Sequence, residues 1–274
     1  MEMSEWQGDA GKAWAAEWRR TDRSFSQLTE RLLGTLRDLS LKQVLDIGCG
    51  AGELSLAIAR GHSRTSVIGV DISPQLIAVA RERGAHLANT SFACEDAANW
   101  RPEDEFAPDL LISRHGVMFF DDPIAAFTNL AAIAAPAAQV TFSCFRTPAA
   151  NPFFTEVLTL LPQAPPPSEP NAPGPFAFAD RDYVADILKA GGWRDIEFAQ
   201  VDFPIIAGFG ENAIEDATTY FRLIGPAARA AREMDEAART RFLDRVRTLA
   251  TCHCHGNVVS LPAAAWIVTA TKGR

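Results

Sequence analysis

The stretch VLDIGCGAGELSLAIAR, Val44 to Arg60, constrains the fold more than any other part of the chain. An apolar run of strand character meets glycines at 48, 50 and 52, and a pattern of helical period follows. Glycine reaches positive φ without strain and lets the backbone approach a ligand closely. A dinucleotide loop of the form G-x-G-x-x-G would need Gly at 53, where this chain has Glu53. A carboxylate facing a pyrophosphate at a helix N-terminus is repulsive. No G-K-[ST] follows, which excludes a triphosphate loop. A nucleoside ligand without a phosphate chain is the remaining good fit.

The same alternation of period continues downstream. Ser66 to Asp71, Thr90 to Asp96, Pro108 to Arg114 and Ala138 to Phe145 read as strands. Between them lie the helical patterns up to Gly61, from Pro74 to Gly84 and from Asp122 to Ala135. Such alternation predicts an α/β fold with a doubly wound, mostly parallel sheet. Residues 1–40 read as helical, with Asp22 or Ser24 capping a second helix. Residues 147–178 hold most of the 17 prolines, punctuated by Phe153, Phe154, Phe176 and Phe178, and read as an excursion over a site. A capped helix over Asp180 to Trp193 and a strand over Arg194 to Ile206 follow, then helices over 212–250 and a last strand over Val259 to Lys272.

Two acids close successive strands. Asp71 lies where a ribose sits in a strand–helix–strand unit, and a carboxylate accepts both ribose hydroxyls. Asp96, in CEDAANW, is placed to accept from the exocyclic amine of a base. Ligands of open α/β sheets bind in that crevice at the carboxyl ends of the strands.

Composition narrows the partners. With 34 acidic against 26 basic side chains the net charge is −8, which disfavours nucleic acid. The arginines between 222 and 247 alternate with acids, as on a solvated helix face. No apolar run approaches the roughly 20 residues of a membrane helix. An acidic N-terminus and five scattered cysteines point to the cytoplasm and reduced thiols. Homo-oligomerisation is left open.

Taken in order, VLDIGCGAG, GVDIS, EDA and DLLISRHGVMFFDDP resemble the class I S-adenosylmethionine-dependent methyltransferases, most closely the branch of the ubiquinone and menaquinone C-methyltransferases. The resemblance is strong over residues 40–146. It implies a Rossmann-like seven-stranded sheet with an antiparallel last strand, Val259 to Lys272. It also implies S-adenosyl-L-methionine as cofactor, with Asp46 and the backbone of Gly48 and Gly50 at its methionine part and Gly52 as a further cofactor-binding residue. Asp71 and Ile72 then meet ribose and adenine, and Asp96 and Ala97 the adenine. APAAQ, Ala135 to Gln139, departs from the Pro-Gly-Gly turn that the family often has before the fifth strand.

The expected reaction is methyl transfer to a small, partly hydrophobic organic acceptor on carbon, oxygen or nitrogen. A non-catalytic S-adenosylmethionine-binding protein of the same fold is the alternative. His115, after the fourth strand, is the candidate general base, since imidazole titrates in the useful range. Arg114 is a candidate for the cofactor carboxylate or a substrate acid. Trp14, with Trp6 and Trp18, forms a candidate lid stripe, and the four phenylalanines a candidate apolar acceptor pocket. CHCH, Cys252 to His255, lacks the paired spacing of a metal site, and no metal is expected. The chain divides into an N-terminal helical lid, 1–40, and a methyltransferase domain, 41–274, with cap insertions at about 147–178 and 208–257.

Overall fold

The computed structural model describes residues 3–103, 105–163 and 169–273. Part of the proline-rich excursion, 164–168, lies outside the described residues. The strands are β1 (Gln43–Ile47), β2 (Ser66–Asp71), β3 (Thr90–Cys94), β4 (Leu110–Arg114), β5 (Gln139–Phe145), β6 (Trp193–Phe209), β7 (Cys254–His255) and β8 (Val258–Lys272). They form one sheet in the order β3-β2-β1-β4-β5-β8-β6, with the two-residue β7 paired to β8 alone. The pairs among β1 to β5 are parallel, and β8 runs antiparallel to both β5 and β6. The architecture is the Rossmann-like one expected, with β8 as the antiparallel strand and β7 as a small addition.

Local chemistry explains most boundaries. β1, β4 and β5 are near-continuous apolar runs buried along their length, as parallel strands covered by helices on both faces must be. Helix Pro74–Gly84 starts at Ser73, whose hydroxyl accepts the Leu76 N–H, with Pro in the first turn. Asp122 caps Pro123–Ile133 and Asp180 caps Arg181–Ala190 in the same way. Before β5, Ala137 takes φ 59° to close the turn at 134–139. A residue with a Cβ therefore occupies the left-handed conformation that glycine reaches freely.

The N-terminal segment departs from the expected pair of helices. It folds as four short ones, Met3–Gln7, Asp9–Ala16, Trp18–Ser24 and Ser26–Gly34. Neither Asp22 nor Ser24 caps a helix: Asp22 reaches across to Arg83, and the Ser24 hydroxyl donates to the Thr21 carbonyl. The helical tract expected over 212–250 is likewise split, into Ala213–Leu223, Ala228–Glu233 and Glu236–Cys252.

β6 and β8 outrun the rest of the sheet. β5 pairs only with Ala265 to Thr271 of β8, while β6 continues along β8 to Val258. The overhang is a two-stranded ribbon, Phe203 to Phe209 against Val258 to Ala263. Helix Ala213–Leu223 lies so close to it that a Cβ on Gly208 would stand 2.0 Å from the Ala213 carbonyl oxygen. Helix Trp18–Ser24 is tied to the same ribbon, because the Arg23 guanidinium donates to the Ala207 carbonyl at 3.0 Å and pairs with Asp216 at 2.7 Å.

Candidate active site

The glycine loop sits at the carboxyl end of β1, in the middle of the sheet. Gly48, Gly50 and Gly52 all have positive φ, at 64°, 55° and 86°. A Cβ on Gly48 would lie 2.8 Å from the Gly116 Cα, so the loops after β1 and β4 touch backbone to backbone there. A Cβ on Gly50 would meet nothing within 4 Å, because this residue borders open space. Gly52 is placed differently from the expectation. It heads helix Glu53–Gly61, a Cβ there would press on Phe92 and Ala80, and it is not among the residues lining the cavity.

One cavity of about 1970 Å³ runs along this sheet edge. Trp14, Asp46, Gly48, Gly50, Asp71, Ile72, Asp96, Ala97, Arg114 and His115 line it, so the remaining expected site residues come together. The strand-end acids already do structural work. Asp71 accepts the Gly50 N–H at 2.8 Å and the Ser73 N–H at 2.9 Å, one on each carboxylate oxygen. Burial pushes its carboxyl up, and those backbone donors oppose the rise. Asp46 is fully enclosed and accepts both the N–H and the hydroxyl of Ser55, at 3.0 and 2.6 Å, which anchors the first turn of helix Glu53–Gly61. Burial raises it to about 6. Asp96 accepts the Ala98 N–H at 2.9 Å and the Asn99 amide at 2.7 Å, forming an Asx turn.

Arg114 is committed elsewhere than expected. Its guanidinium donates to the Thr29 hydroxyl at 2.7 Å and faces Asp22 at 3.8 Å, both on the N-terminal helices. Those helices form the outer wall. Trp6 packs edge-on against Trp14 at 5.3 Å and against Phe119 at 5.4 Å, and all three line the cavity. Trp18 holds the Arg83 guanidinium over its ring at 3.8 Å. Arg83 in turn pairs with Asp22 at 2.8 Å and with Glu53 at 3.0 Å, fastening the wall beside the glycine loop. Burial lifts the Asp22 carboxyl to about 7, with Glu53 adding and the two arginines opposing.

His115, the candidate base, is enclosed. It is 8% exposed, has φ 66°, and stacks on Phe145 at 4.1 Å with Phe25 edge-on at 5.4 Å. Nδ1 lies 3.3 Å from the Ser143 hydroxyl, and Nε2 is buried with no partner among the described residues. Burial, with Arg114 adding, drops its pKa to about 3. A neutral imidazole so weakly basic is poorly matched to removing a proton near neutral pH. Of the four expected acceptor-side phenylalanines, Phe153, Phe154 and Phe176 line the cavity. Phe178 is 1% exposed and packs in the core against Phe127 and Phe142.

Sequence reasoning missed Asp22, Gly116, Phe145 and Tyr220, which line the cavity, and Arg83, which fastens its wall. Of these, Gly116 carried a local signal, a glycine two residues after a strand end. At CHCH, His253 pairs with Glu156 at 3.1 Å. No group of three or more metal-ligating side chains occurs among the described residues. Nor is any helix of the described residues long and apolar enough to cross a membrane.

Comparison with known proteins agrees with this geometry. Residues 44–137 match the family model described as a methyltransferase domain. A trans-aconitate 2-methyltransferase of Variovorax paradoxus is 31% identical over 121 residues, covering 44% of this chain and 45% of that protein. A malonyl-[acyl-carrier protein] O-methyltransferase of Ilyobacter polytropus is 29% identical over 102 residues, 37% of each. The chain thus matches less than half the length of these curated relatives. Among solved structures, phosphoethanolamine N-methyltransferase 2 of Haemonchus contortus with S-adenosyl-L-methionine superposes with TM-score 0.60 at 16% identity, covering 100% of this chain and 60% of that one. The Bacillus YcgJ protein gives 0.55 at 17% identity, covering 91% and 99%. These likenesses establish the fold. The match of residues 44–137 to a methyltransferase domain supports S-adenosylmethionine as the cofactor.

Proposed function

We propose that the chain transfers a methyl group from S-adenosylmethionine to a small organic acceptor. The observation that carries this reading is the cavity along the strand ends. At about 1970 Å³ it is roughly twice the upper end of an ordinary ligand pocket, about 1,000 Å³, so it has room for two molecules side by side. Its halves differ in chemistry. Over β1, β2 and β3 it is a glycine loop and strand-end acids; over β4 and β5 it is aromatic.

The first half suits this cofactor. Gly50 leaves open the space that a side chain would fill. Asp46, Asp71, Asp96 and Glu53 line the same end and favour a cationic ligand over a pyrophosphate. When bound, S-adenosylmethionine supplies an electrophilic methyl on positively charged sulfur. Asp71 keeps a lone pair on each oxygen for the ribose hydroxyls while it holds the loop. Ile72 and Ala97 offer apolar contacts to the adenine, and Asp96 an acceptor to its amine. Gly48 and Gly50 bring backbone to the methionine part, and Asp46 positions the adjoining helix through Ser55. Trp14 and its neighbours on the N-terminal helices act as a lid that excludes water, and 208–257 as a cap. His115, neutral at the wall, shapes the site and does not take the proton.

The motif order suggests kinship with quinone C-methyltransferases, whereas the relatives above are named for trans-aconitate and malonyl-[acyl-carrier protein]. Which atom receives the methyl is part of the proposal to be tested. Calorimetric titration with S-adenosylmethionine, S-adenosylhomocysteine and NAD, run side by side, tests the cofactor. Micromolar binding of the first two alone is expected. Binding of NAD alone, or of none of the three, would overturn the reading. Product formation with a panel of phenols, quinols and amines separates an enzyme from a silent binder.

A further inference from the structure

The acceptor half of the cavity is walled by rings that touch in series. Phe145 stands 6.3 Å from Phe25, 5.3 Å from Phe153 and 6.0 Å from Phe176, and Phe176 stands 4.9 Å from Phe154. All five line the cavity, and they come from three separate parts of the chain. The aromatic surface is therefore assembled by the fold and is not a run of neighbours.

The charges around it are lopsided. Among the described residues, the cations lining the cavity are Arg114, Arg229 and Arg232. Arg114 is held by Thr29 and Asp22. Arg229 is held by Glu5 and, at 3.5 Å, by Glu233. Arg232 is exposed, where water screens it. Asp121, Asp122, Glu169 and Asp180 line the same half. A carboxylate entering here would leave water for an aromatic wall without a free inner cation, and would face acids at the edge.

We propose that the acceptor is an uncharged molecule with an apolar, ring-bearing body, and that acceptors carrying a carboxylate are excluded. The inference rests on the methyl-transfer reading above and adds the acceptor's charge class to it. Recognition then comes from ring stacking and apolar burial, and selectivity from the missing cation.

Two probes with one body decide it: 2-naphthol and 2-naphthoate, titrated into the full chain saturated with S-adenosylhomocysteine. 2-Naphthol is expected to bind at least tenfold more tightly. Phe154→Arg, at a half-exposed position that accommodates a long polar side chain, is expected to narrow or reverse the ratio by giving the carboxylate a partner. Phe176→Lys repeats that test should the first variant melt early. Equal or tighter binding of 2-naphthoate to the unmodified chain would overturn the proposal. So would binding of neither probe to a chain that holds S-adenosylhomocysteine. Failure to hold S-adenosylhomocysteine at all would overturn the methyl-transfer reading, and this inference with it.

Discussion

The carboxylate of Asp71 accepts the Gly50 N–H at 2.8 Å, so the acid closing β2 shapes the glycine loop that closes β1. Any contact this carboxylate makes with a ligand is thereby coupled to the loop geometry. Asp71→Ala is expected to weaken S-adenosylhomocysteine binding by about 10- to 150-fold, as hydrogen bonds to a charged group contribute roughly 1.5–3 kcal/mol. It should also lower the melting temperature without ligand, because the Gly50 and Ser73 donors lose their partner. Unchanged affinity in calorimetry would remove Asp71 from the binding site.

Two glycines of the loop separate folding from binding. Gly48→Ala drives a methyl against the Gly116 backbone and should cost about 2–5 kcal/mol, from left-handed strain and overpacking together. Gly50→Ala meets only open space and should cost about 1–2 kcal/mol from strain alone. Its cofactor affinity should nevertheless fall, since the added methyl occupies the ligand's space. Denaturant unfolding and titration of both variants check the pair. Normal binding by Gly50→Ala would mean that the ligand does not approach the loop.

The buried imidazole of His115 makes stability depend on pH in a definite direction. Its pKa is about 3 in the folded protein, against about 6.5 when unfolded, so the folded state binds fewer protons between those values. The associated stability is complete above about pH 6.5 and is lost as pH falls towards 3. Between pH 7 and pH 5 the loss is about 2 kcal/mol. Asp46 and Asp22, raised by burial, contribute the opposite slope, and they cancel when wild type is compared with His115→Asn. Asn tolerates the positive φ at this position. The stability gap between the two proteins should therefore shrink by about 2 kcal/mol from pH 7 to pH 5. A constant gap would show that the imidazole is not held neutral.

Arg83 fastens the N-terminal helices to the glycine-loop end of the cavity through Asp22, Glu53, the Ala51 carbonyl and the face of Trp18. Arg83→Met keeps much of the apolar stem and removes the charge. Tryptic cleavage after Arg19, Arg20 or Arg23 should quicken, and cofactor affinity should fall about tenfold, equivalent to roughly 1.4 kcal/mol. Cleavage at the unmodified rate would mean that the wall is held by its packing alone.

The parts of this molecule that were legible in the sequence are those coded by neighbours. Ser73, Asp122 and Asp180 announce their helices within three residues, and the apolar runs of β1, β4 and β5 need no distant partner to be recognised. The strand-end acids were legible for the same reason. What stayed hidden depends on contacts far apart in the chain. Asp22 reads as a helix cap until the fold brings Arg83 to it from 61 residues away. Arg114 reads as a free cation until Thr29 and Asp22 claim it. His115 has the residue type of a base, and only the enclosure by Phe25 and Phe145 reveals that it cannot readily be charged. Phe178 and Phe176 are two residues apart, yet one enters the core and the other the cavity.

The ribbon formed by the overhang of β6 and β8 has a consequence for how such a chain diversifies. It carries helix Ala213–Leu223 on one strand and, through Arg23, the N-terminal helices as well, while β1 to β3 and their loops make no pairing with it. The recognisable family segment, 44–137, ends before the ribbon begins. Residues 193–272 can therefore be exchanged as a cassette without altering a strand pairing among β1 to β3, while Phe145, Phe153, Phe154 and Phe176, which lie outside that segment, stay as they are.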